Sequence, residues 1–378
     1  MISVLLPSRV ADLHPVGKVA ALAAVLTIGS AITAVAQPAA GALSDRTRTP
    51  LGRRVPWMIA GALLGGLAIG LIGEVPTVVL VAALWALAQP FTSALQVSSD
   101  AFLVDAFPIG RRGRAAGIVG IAVVVGSAAG AVLSGALANR GGLVFWLLDA
   151  ALVIAVAIFA VVVRDTTMPA LDRPRRRSGD ALRALAAGIA AHPDYLKILL
   201  WRFGYSIAYG AVFAYLLYIL TDLVGVTKEH AANLIGLATV LGGGAALVSV
   251  LLGGWLSDRL GRRPFLLIGN AALIAGDLAL LVSHTVPAVL TTAALFGLGL
   301  GLSISCGRAL ASQVLPDQAN GAAAGLGVLN TAANAGQAIA PAIGAVAIGL
   351  AGYPGALLTS IVGAIVCSAA VALVKTVR

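Results

Sequence analysis

From residue 19 onward the chain alternates long apolar runs with short polar breaks. Eleven runs stand out, at 19–43, 55–73, 77–104, 114–138, 142–163, 195–223, 231–256, 263–283, 287–314, 322–350 and 354–374. Each reaches the ~20 residues that a helix needs to cross ~30 Å of hydrocarbon. The pattern predicts an all-α integral membrane protein. Composition agrees, with 60% of the 378 residues hydrophobic and only 11% charged. Mean hydropathy is +1.00, more apolar surface than a soluble domain can hide. Glycine, at 45 residues, suits membrane helices, whose interfaces favour small residues that let backbones approach. Cys306 and Cys367 both fall inside apolar runs, so no disulfide framework, metal site or cofactor is expected from them.

A net charge of +10 raises the question of nucleic acid, and the distribution of the charge answers it. With 44–54 taken as cytoplasmic, nineteen of the 25 lysines and arginines fall on that side, among them Arg46, Arg48, Arg53, Arg54, Arg259, Arg262 and Arg263. The opposite side holds Arg9, Lys18, Arg140 and Lys228. That is the positive-inside bias, so the charge encodes orientation. No nucleic-acid partner is expected; lipid is. The C-terminus is predicted to be cytoplasmic, in the cell membrane of a multi-pass protein.

The polar breaks repeat. "GALSDRTRTPLGRR" (41–54) is answered by "GGWLSDRLGRR" (253–263), with Gly41 and Asp45 matching Gly254 and Asp258 at an offset of 213. "DAFPIGRRGRAAG" (105–117) is answered by "QVLPDQANGAAAG" (313–325), where Pro108, Gly113 and Gly117 match Pro316, Gly321 and Gly325 at an offset of 208. Two landmarks in the same order imply two pseudo-symmetric helical bundles, an arrangement typical of transporters. The expected division is 1–163 with five spans, a cytoplasmic linker at 164–194, and 195–378 with six. Eleven spans against an expected twelve leave the first helix missing or truncated, with "MISVLLP" as its stub. A signal peptide is disfavoured, for basic n-region, adequate apolar core and A-x-A site are all lacking.

The second charged break carries Gly254, Asp258, Arg259, Gly261, Arg262 and Arg263. It resembles the signature loop of the major facilitator superfamily, at the place where that family has it. The first copy, longer and followed by Pro56 and Trp57, is similar to that of the glycoside–cation symporters and sucrose-type carriers. The resemblance implies a gating latch made of Gly41, Asp45, Arg46, Arg53, Arg54, Asp105, Gly254, Asp258, Arg259, Arg262 and Arg263. In it Asp45 would meet the helix starting near Gly321, and Asp258 the one starting near Gly113. A carboxylate at a helix N-terminus is worth ~0.3–1 kcal/mol, up to ~2 when partly buried. Two such contacts would tune an outward/inward equilibrium. The arginines would bridge to Asp105, whose counterpart in the second half is Gln313. A simple positive-inside anchor would explain the arginines but not the matched Asp and Gly spacing.

Polar residues at helical spacing mark candidate faces. Gln89, Ser93, Gln96 and Asp100 form one; Ser30, Thr33 and Gln37 another; Asn330, Asn334 and Gln337 a third; Ser305, Arg308 and Ser312 a fourth. Arg202, Tyr205, Tyr209 and Phe213 share a face, while Trp201 and Tyr218 stand where an interfacial aromatic belt would lie. Gln37, Gln89, Ser93, Gln96, Arg202, Tyr205, Tyr209, Asn330, Asn334 and Gln337 are the candidate solute contacts. Asp100 and Arg308 are equivalent at the 208 offset. A charge within a span costs at least ~2.5–3.5 kcal/mol at the bilayer centre, so the two either pair as a coupling couple or snorkel separately to the interface. Asp149 and Asp277 fall on helices that the family uses as outer supports. "GLGLGLS" (297–303) mimics a nucleotide loop, but no strand precedes it, and it reads as helix-packing glycine.

No hydrolytic triad, metal set or phosphate loop is visible, so an enzyme is not expected and ATP is not the energy source. The expected function is secondary active transport of a small organic solute, possibly a sugar, by alternating access and as a monomer. No span offers two carboxylates on one face for sodium, whereas one desolvated carboxylate serves a proton, so H+ symport at Asp100 is expected. Gln37 precedes Pro38 where the melibiose-type carriers have an acid, which also argues against sodium. Efflux of drugs or metabolites and a non-transporting remnant are the alternatives.

Overall fold

The computed structural model describes residues 4–107, 109–137, 142–163, 193–307, 310–311 and 322–374. We label its helices in chain order: α1 (Leu5–Leu13), α2 (Lys18–Arg46), α3 (Val55–Ile72), α4 (Val78–Ala106), α5 (Ile109–Ala136) and α6 (Leu143–Val162). There follow α7 (Pro193–Phe213 with Leu216–Leu223), α8 (Lys228–Leu260), α9 (Arg263–Val282), α10 (Val286–Gly307), α11 (Ala322–Ala351) and α12 (Tyr353–Ala372). Among the described residues, ten helices are long and apolar enough to cross a membrane, or eleven with α7. Hydrocarbon offers the backbone no hydrogen bonds, so a continuous helix is the form a spanning segment takes.

Local chemistry sets the starts. Proline stands in the first turn of α3, α9, α10 and α12, where its missing N–H costs nothing and its fixed φ suits the helix. Thr77 caps α4 by accepting from the Leu80 amide. The run expected at 195–223 is two segments bent by 43° at Ala214 and Tyr215. Tyr215 Oη donates to the Pro341 carbonyl at 2.6 Å, fixing the bend against α11.

The chain forms two compact units, Met1–Leu171 with Thr227–Gly236, and Asp172–Val226 with Leu237–Arg378. The head of α8 thus belongs with the first unit, where Gly236 lies against Val132 and Gly135 against Ala232. In that unit α2 packs along α4, and α3 against α4 and α6. Gly29 admits the Trp85 indole, and the Thr33 hydroxyl donates to Gln89 Oε1 at 2.8 Å across the same seam. In the second unit α7 packs against α11 and α12, and α9 against α10 and α12.

The "GLGLGLS" glycines explain one seam of that unit. A Cβ on Gly297 would stand 1.9 Å from the Gly242 carbonyl oxygen, and one on Gly301 2.3 Å from that of Ala246, both on α8. Gly299 faces the other way, toward the Gly269 carbonyl of α9 at 2.7 Å. Spacing of four puts the first pair on one helix face and the middle glycine on another, so α10 is wedged between α8 and α9 at close backbone approaches. The aromatic belt expected of Trp201 and Tyr218 is corrected here. Each is 1% exposed, because α7 turns these rings into the unit's own interior rather than toward lipid.

Gly297→Leu would force overpacking at a backbone–backbone contact, with a loss of about 1–3 kcal/mol or more. Gly126→Ala, with nothing within 4 Å of the new Cβ, is expected to be neutral or mildly stabilising, alanine being the better helix former. Thermal unfolding of the two variants in detergent should separate them clearly; coincident midpoints would refute the wedge.

Candidate functional site

The first charged loop is held by a small turn. Thr49 and Gly52 pair as an isolated bridge, with Gly52 at φ 91° and the Thr49 hydroxyl donating to the Gly52 carbonyl at 2.7 Å. Glycine reaches that φ without strain. Trp57 Nε1 donates to Thr47 Oγ1 at 2.7 Å and fastens the loop to the start of α3. The turn delivers two adjacent arginines to the ends of α2 and α4. Arg53 Nη2 lies 2.6 Å from Asp105 Oδ2. Arg54 is 6% exposed and spends its whole fork: Nε on Asp105 at 3.2 Å, Nη2 on Asp45 at 2.7 Å, Nη1 on Ser44 Oγ at 2.9 Å. Ser44 in turn meets Ser98 Oγ at 3.4 Å. A planar guanidinium with five donors is the group that can hold two carboxylates and a hydroxyl at once. Arg46 is exposed, and a Cβ on Gly41 would stand 3.4 Å from Val97 Cγ1.

The second loop repeats the positive-φ glycine, and its Arg263 reaches a helix end. Gly261 has φ 91°, as Gly52 does. Arg263 Nη1 donates to the Val374 carbonyl at 3.1 Å, and its Nη2 to that of Ala372. Lys197 Nζ reaches Asp194 at 2.6 Å and the Leu373 carbonyl at 2.7 Å. Two cations therefore satisfy the C-terminal carbonyls of α12 and complement its dipole. Arg259 lies over the Trp255 ring at 4.3 Å. A Cβ on Gly254 would stand 4.0 Å from Ser305 Cβ, and Arg262 heads α9. The Asp258 side chain, Arg308, Gln313 and Gly321 lie outside the described residues, and so do the proposed couple of Asp100 with Arg308 and both helix-terminus contacts.

The polar faces are only partly open. In the first unit Ser93 is 2% exposed and packed inside, Gln89 is tied to Thr33 and to the Trp85 carbonyl, and Gln37 is half-buried and engaged. Gln96 and Asp100, further along α4, are exposed. In the second unit Tyr205 is 3% exposed, its ring tilted by 42° against Trp201 at 6.0 Å, with no hydrogen-bond partner for its hydroxyl among the described residues. Tyr209 is half-buried between Phe213 at 5.3 Å and Phe296 at 6.0 Å. Arg202 Nη1 donates to Ser303 Oγ at 3.3 Å. Asn330, Asn334 and Gln337 are exposed along one side of α11, with Asn334 engaged. Ser44, Ser98, Phe296 and Ser303 escaped sequence reasoning. Ser303 ends the glycine motif and begins a π-helical turn, Ser303–Gly307, a local form common at functional sites but without a sequence signal here. Asp277 has no exposed surface, and Asp149 Oδ1 abuts Gly66.

A charged turn repeated in two helical units, each with polar residues on otherwise apolar helices, defines a class. The chain belongs to the Major Facilitator Superfamily, whose sequence model matches residues 1–232 and 219–378. Members of that family are transporters rather than enzymes. Among particular relatives, it is 31% identical over 111 residues to the uncharacterized MFS-type transporter YttB of Bacillus subtilis, a match covering 29% of this chain and 27% of that protein. It is 32% identical over 143 residues to myo-inositol transporter 1 of Cryptococcus neoformans, covering 38% of this chain and 24% of the relative. Probable inositol transporter 3 of Arabidopsis thaliana is 30% identical over 121 residues, or 32% of this chain and 20% of that one. The chain thus matches about a quarter or less of the length of these relatives. A bacterial homolog of the human lysosomal transporter Spinster shares the fold, with TM-score 0.67, 16% identity, and coverage of 98% of this chain and 91% of the other.

Removing Arg54 would leave Asp45, Asp105 and Ser44 without their common donor. Breaking one side of a buried pair costs about 3–5 kcal/mol, whereas an exposed pair is worth ~0–1 kcal/mol. Arg54→Gln should therefore lower the thermal midpoint most, Asp105→Asn less, and Asp45→Asn, whose side chain is 58% exposed, least. A larger effect of Asp45→Asn than of Arg54→Gln would refute Arg54 as the hub.

Proposed function

We propose that this protein is a secondary transporter carrying a small polyhydroxylated organic solute across the cell membrane by alternating access, coupled to protons at Asp100. The exposed Gln96–Asp100 stretch supports the reading most directly. An ionisable side chain on a spanning helix is a functional-site candidate because hydrocarbon gives it no partner. Among the described residues no hydrogen bond or ion pair engages Asp100, so its carboxyl is free to take up and release a proton. Gln37, Gln89 and Gln96 on one side of the sequence repeat, and Arg202, Tyr209, Asn330, Asn334 and Gln337 on the other, supply the amides and aromatic faces that hydroxylated solutes favour. Ser93 and Tyr205, being buried, support these faces from behind. The similarity to two inositol transporters points the same way.

The two charged loops serve as gating latches in this reading, with Asp45 and Asp258 as their acidic members and Asp105, Arg53 and Arg54 holding the first rigid. The protein works as a monomer, and the positive-inside bias supports a cytoplasmic C-terminus.

Proteoliposomes test this with labelled sugars and polyols, myo-inositol among them, and with sugar acids. An imposed pH gradient should drive accumulation and a sodium gradient should not. Asp100→Asn should keep solute exchange while losing accumulation. Sodium-driven accumulation at constant pH, or accumulation by Asp100→Asn equal to the parent's, would overturn the coupling. Absence of exchange for every solute would overturn transport itself.

A further inference from the structure

Asp277 lies within α9, ~8 Å from the end of that helix at a rise of ~1.5 Å per residue, and none of its surface is exposed. Neither of its carboxyl oxygens has a hydrogen-bond partner among the described residues. The glycines beside it give its direction. Gly269 and Gly276 face α10: a Cβ on the first would stand 3.4 Å from the Gly299 carbonyl oxygen, and one on the second 3.2 Å from Thr292 Cα. Asn270 and Asp277 each follow one of these glycines and so turn ~100° away from that contact. On that side α9 packs against α12. There Ser360 faces the Asp277 carboxyl, itself without exposed surface and without a hydrogen-bond partner for its hydroxyl among the described residues.

The seam holds no opposite charge. Among the described residues, α10 and α12 carry no charged side chain. Arg263, at the start of α9, lies ~21 Å along the helix, with its fork on the carbonyls that end α12. The other titratable groups of the packed helices turn elsewhere. Cys306 Sγ lies 3.8 Å from the Gly253 carbonyl oxygen on α8, Cys367 Sγ donates to the Trp201 carbonyl on α7 at 3.3 Å, and Tyr353 Oη donates to Asp222 at 2.6 Å. His284, past the end of α9, is exposed. Donors are as scarce as cations. The Thr292 hydroxyl proton is shared between the Gly276 and Ala288 carbonyls, and Asn270 stands two turns away, ~10 Å along α9.

We propose that Asp277 is a proton-binding site, its carboxyl carried as the neutral acid and paired with Ser360 as a brace between α9 and α12. An ionised carboxylate only accepts, at about four lone-pair sites, and a single hydroxyl cannot satisfy it. A buried carboxylate with no opposite charge is costly enough that it takes up a proton instead. The neutral acid suits a hydroxyl: its O–H donates to Ser360 Oγ, and the Ser360 O–H donates back to the carbonyl oxygen. A proton also needs no cavity, as befits a carboxyl packed without exposed surface, whereas a metal cation needs room and several oxygens. The inference is separate from the solute and from coupling at Asp100, because it concerns one seam inside the second unit. Loss of the proton puts a charge into that seam, so the brace is released as pH rises.

Infrared spectroscopy of the full chain in detergent reads the proton directly, since a protonated carboxyl has a C=O stretch distinct from the carboxylate bands. Wild-type protein at neutral pH should show such a band. Ser360→Ala, which removes the hydroxyl and keeps the acid, should shift it, and Asp277→Asn should remove it. The shift is read on a protein that retains Asp277, so it stands even if Asp277→Asn fails to fold. Thermal unfolding from acidic to alkaline pH gives a second readout. Unfolding releases the proton to water, so the wild-type unfolding constant should rise with pH more steeply than that of Asp277→Asn, by up to about tenfold per pH unit. A wild type with no protonated-carboxyl band, or a band that Ser360→Ala leaves unmoved, would overturn the proposal. So would parallel pH profiles for wild type and Asp277→Asn. A rise in the wild-type midpoint with sodium or potassium that Asp277→Asn abolishes would put a metal cation in place of the proton and overturn it as well. None of these readouts involves a solute, so transport stands or falls separately.

Discussion

Hydrocarbon supplies no hydrogen bonds, and the distribution of charge in this chain follows from that. Although Arg202 and the fully buried Asp277 stand deep in spans, most charged groups among the described residues stand where water, a helix end or another charge can meet them. The Arg54 cluster is the clearest case. A guanidinium that is almost completely buried holds Asp45, Asp105 and Ser44 at once, and so joins the ends of α2, α3 and α4 through one planar group. Its loop geometry depends on a glycine at positive φ, and its orientation on Trp57 and Thr47. Without those neutral contacts the arginines would have no fixed direction.

Where charges are absent, helix packing falls to small residues. The α10 glycines meet α8 and α9 at their backbones, and Gly336 meets the backbone of α7. Close approach of this kind maximises dispersion contacts, which in a bilayer replace the hydrophobic driving force. Rigid seams then leave the few polar side chains as well-placed groups on stiff supports, as recognition of a solute requires. Arg202 illustrates how packing positions a polar side chain, because Gly307 and Gly336 seat α7 on its two sides.

The two copies of the loop share a backbone feature, while the last arginines of each, Arg54 and Arg263, meet different groups. Gly52 and Gly261 adopt the same φ, yet the first pair of arginines binds carboxylates and Arg263 binds the carbonyls ending α12. A turn needs only glycine at one position, so it survives divergence easily. An ion pair needs both members, and Gln313 stands where Asp105 has its counterpart.

The sequence by itself determined the helices, their membrane character, the two-fold repeat and the signature loop, since each depends on hydropathy or on local spacing. It also marked Arg202, Asp100 and the amide stripes, because polar residues are conspicuous against an apolar background. Tertiary structure decided which of them remain open. Ser93 shares its stripe with Asp100 and Tyr205 shares one with Tyr209, but helical periodicity assigns a face and cannot say what covers it. Packing buried the first of each pair and left the second wholly or partly exposed. The Arg54 fork, the pairing of Arg202 with Ser303, and the burial of Trp201 and Tyr218 likewise join residues far apart in the chain. Such contacts depend on how helices cross, and crossing is set by the seams between them rather than by any one helix.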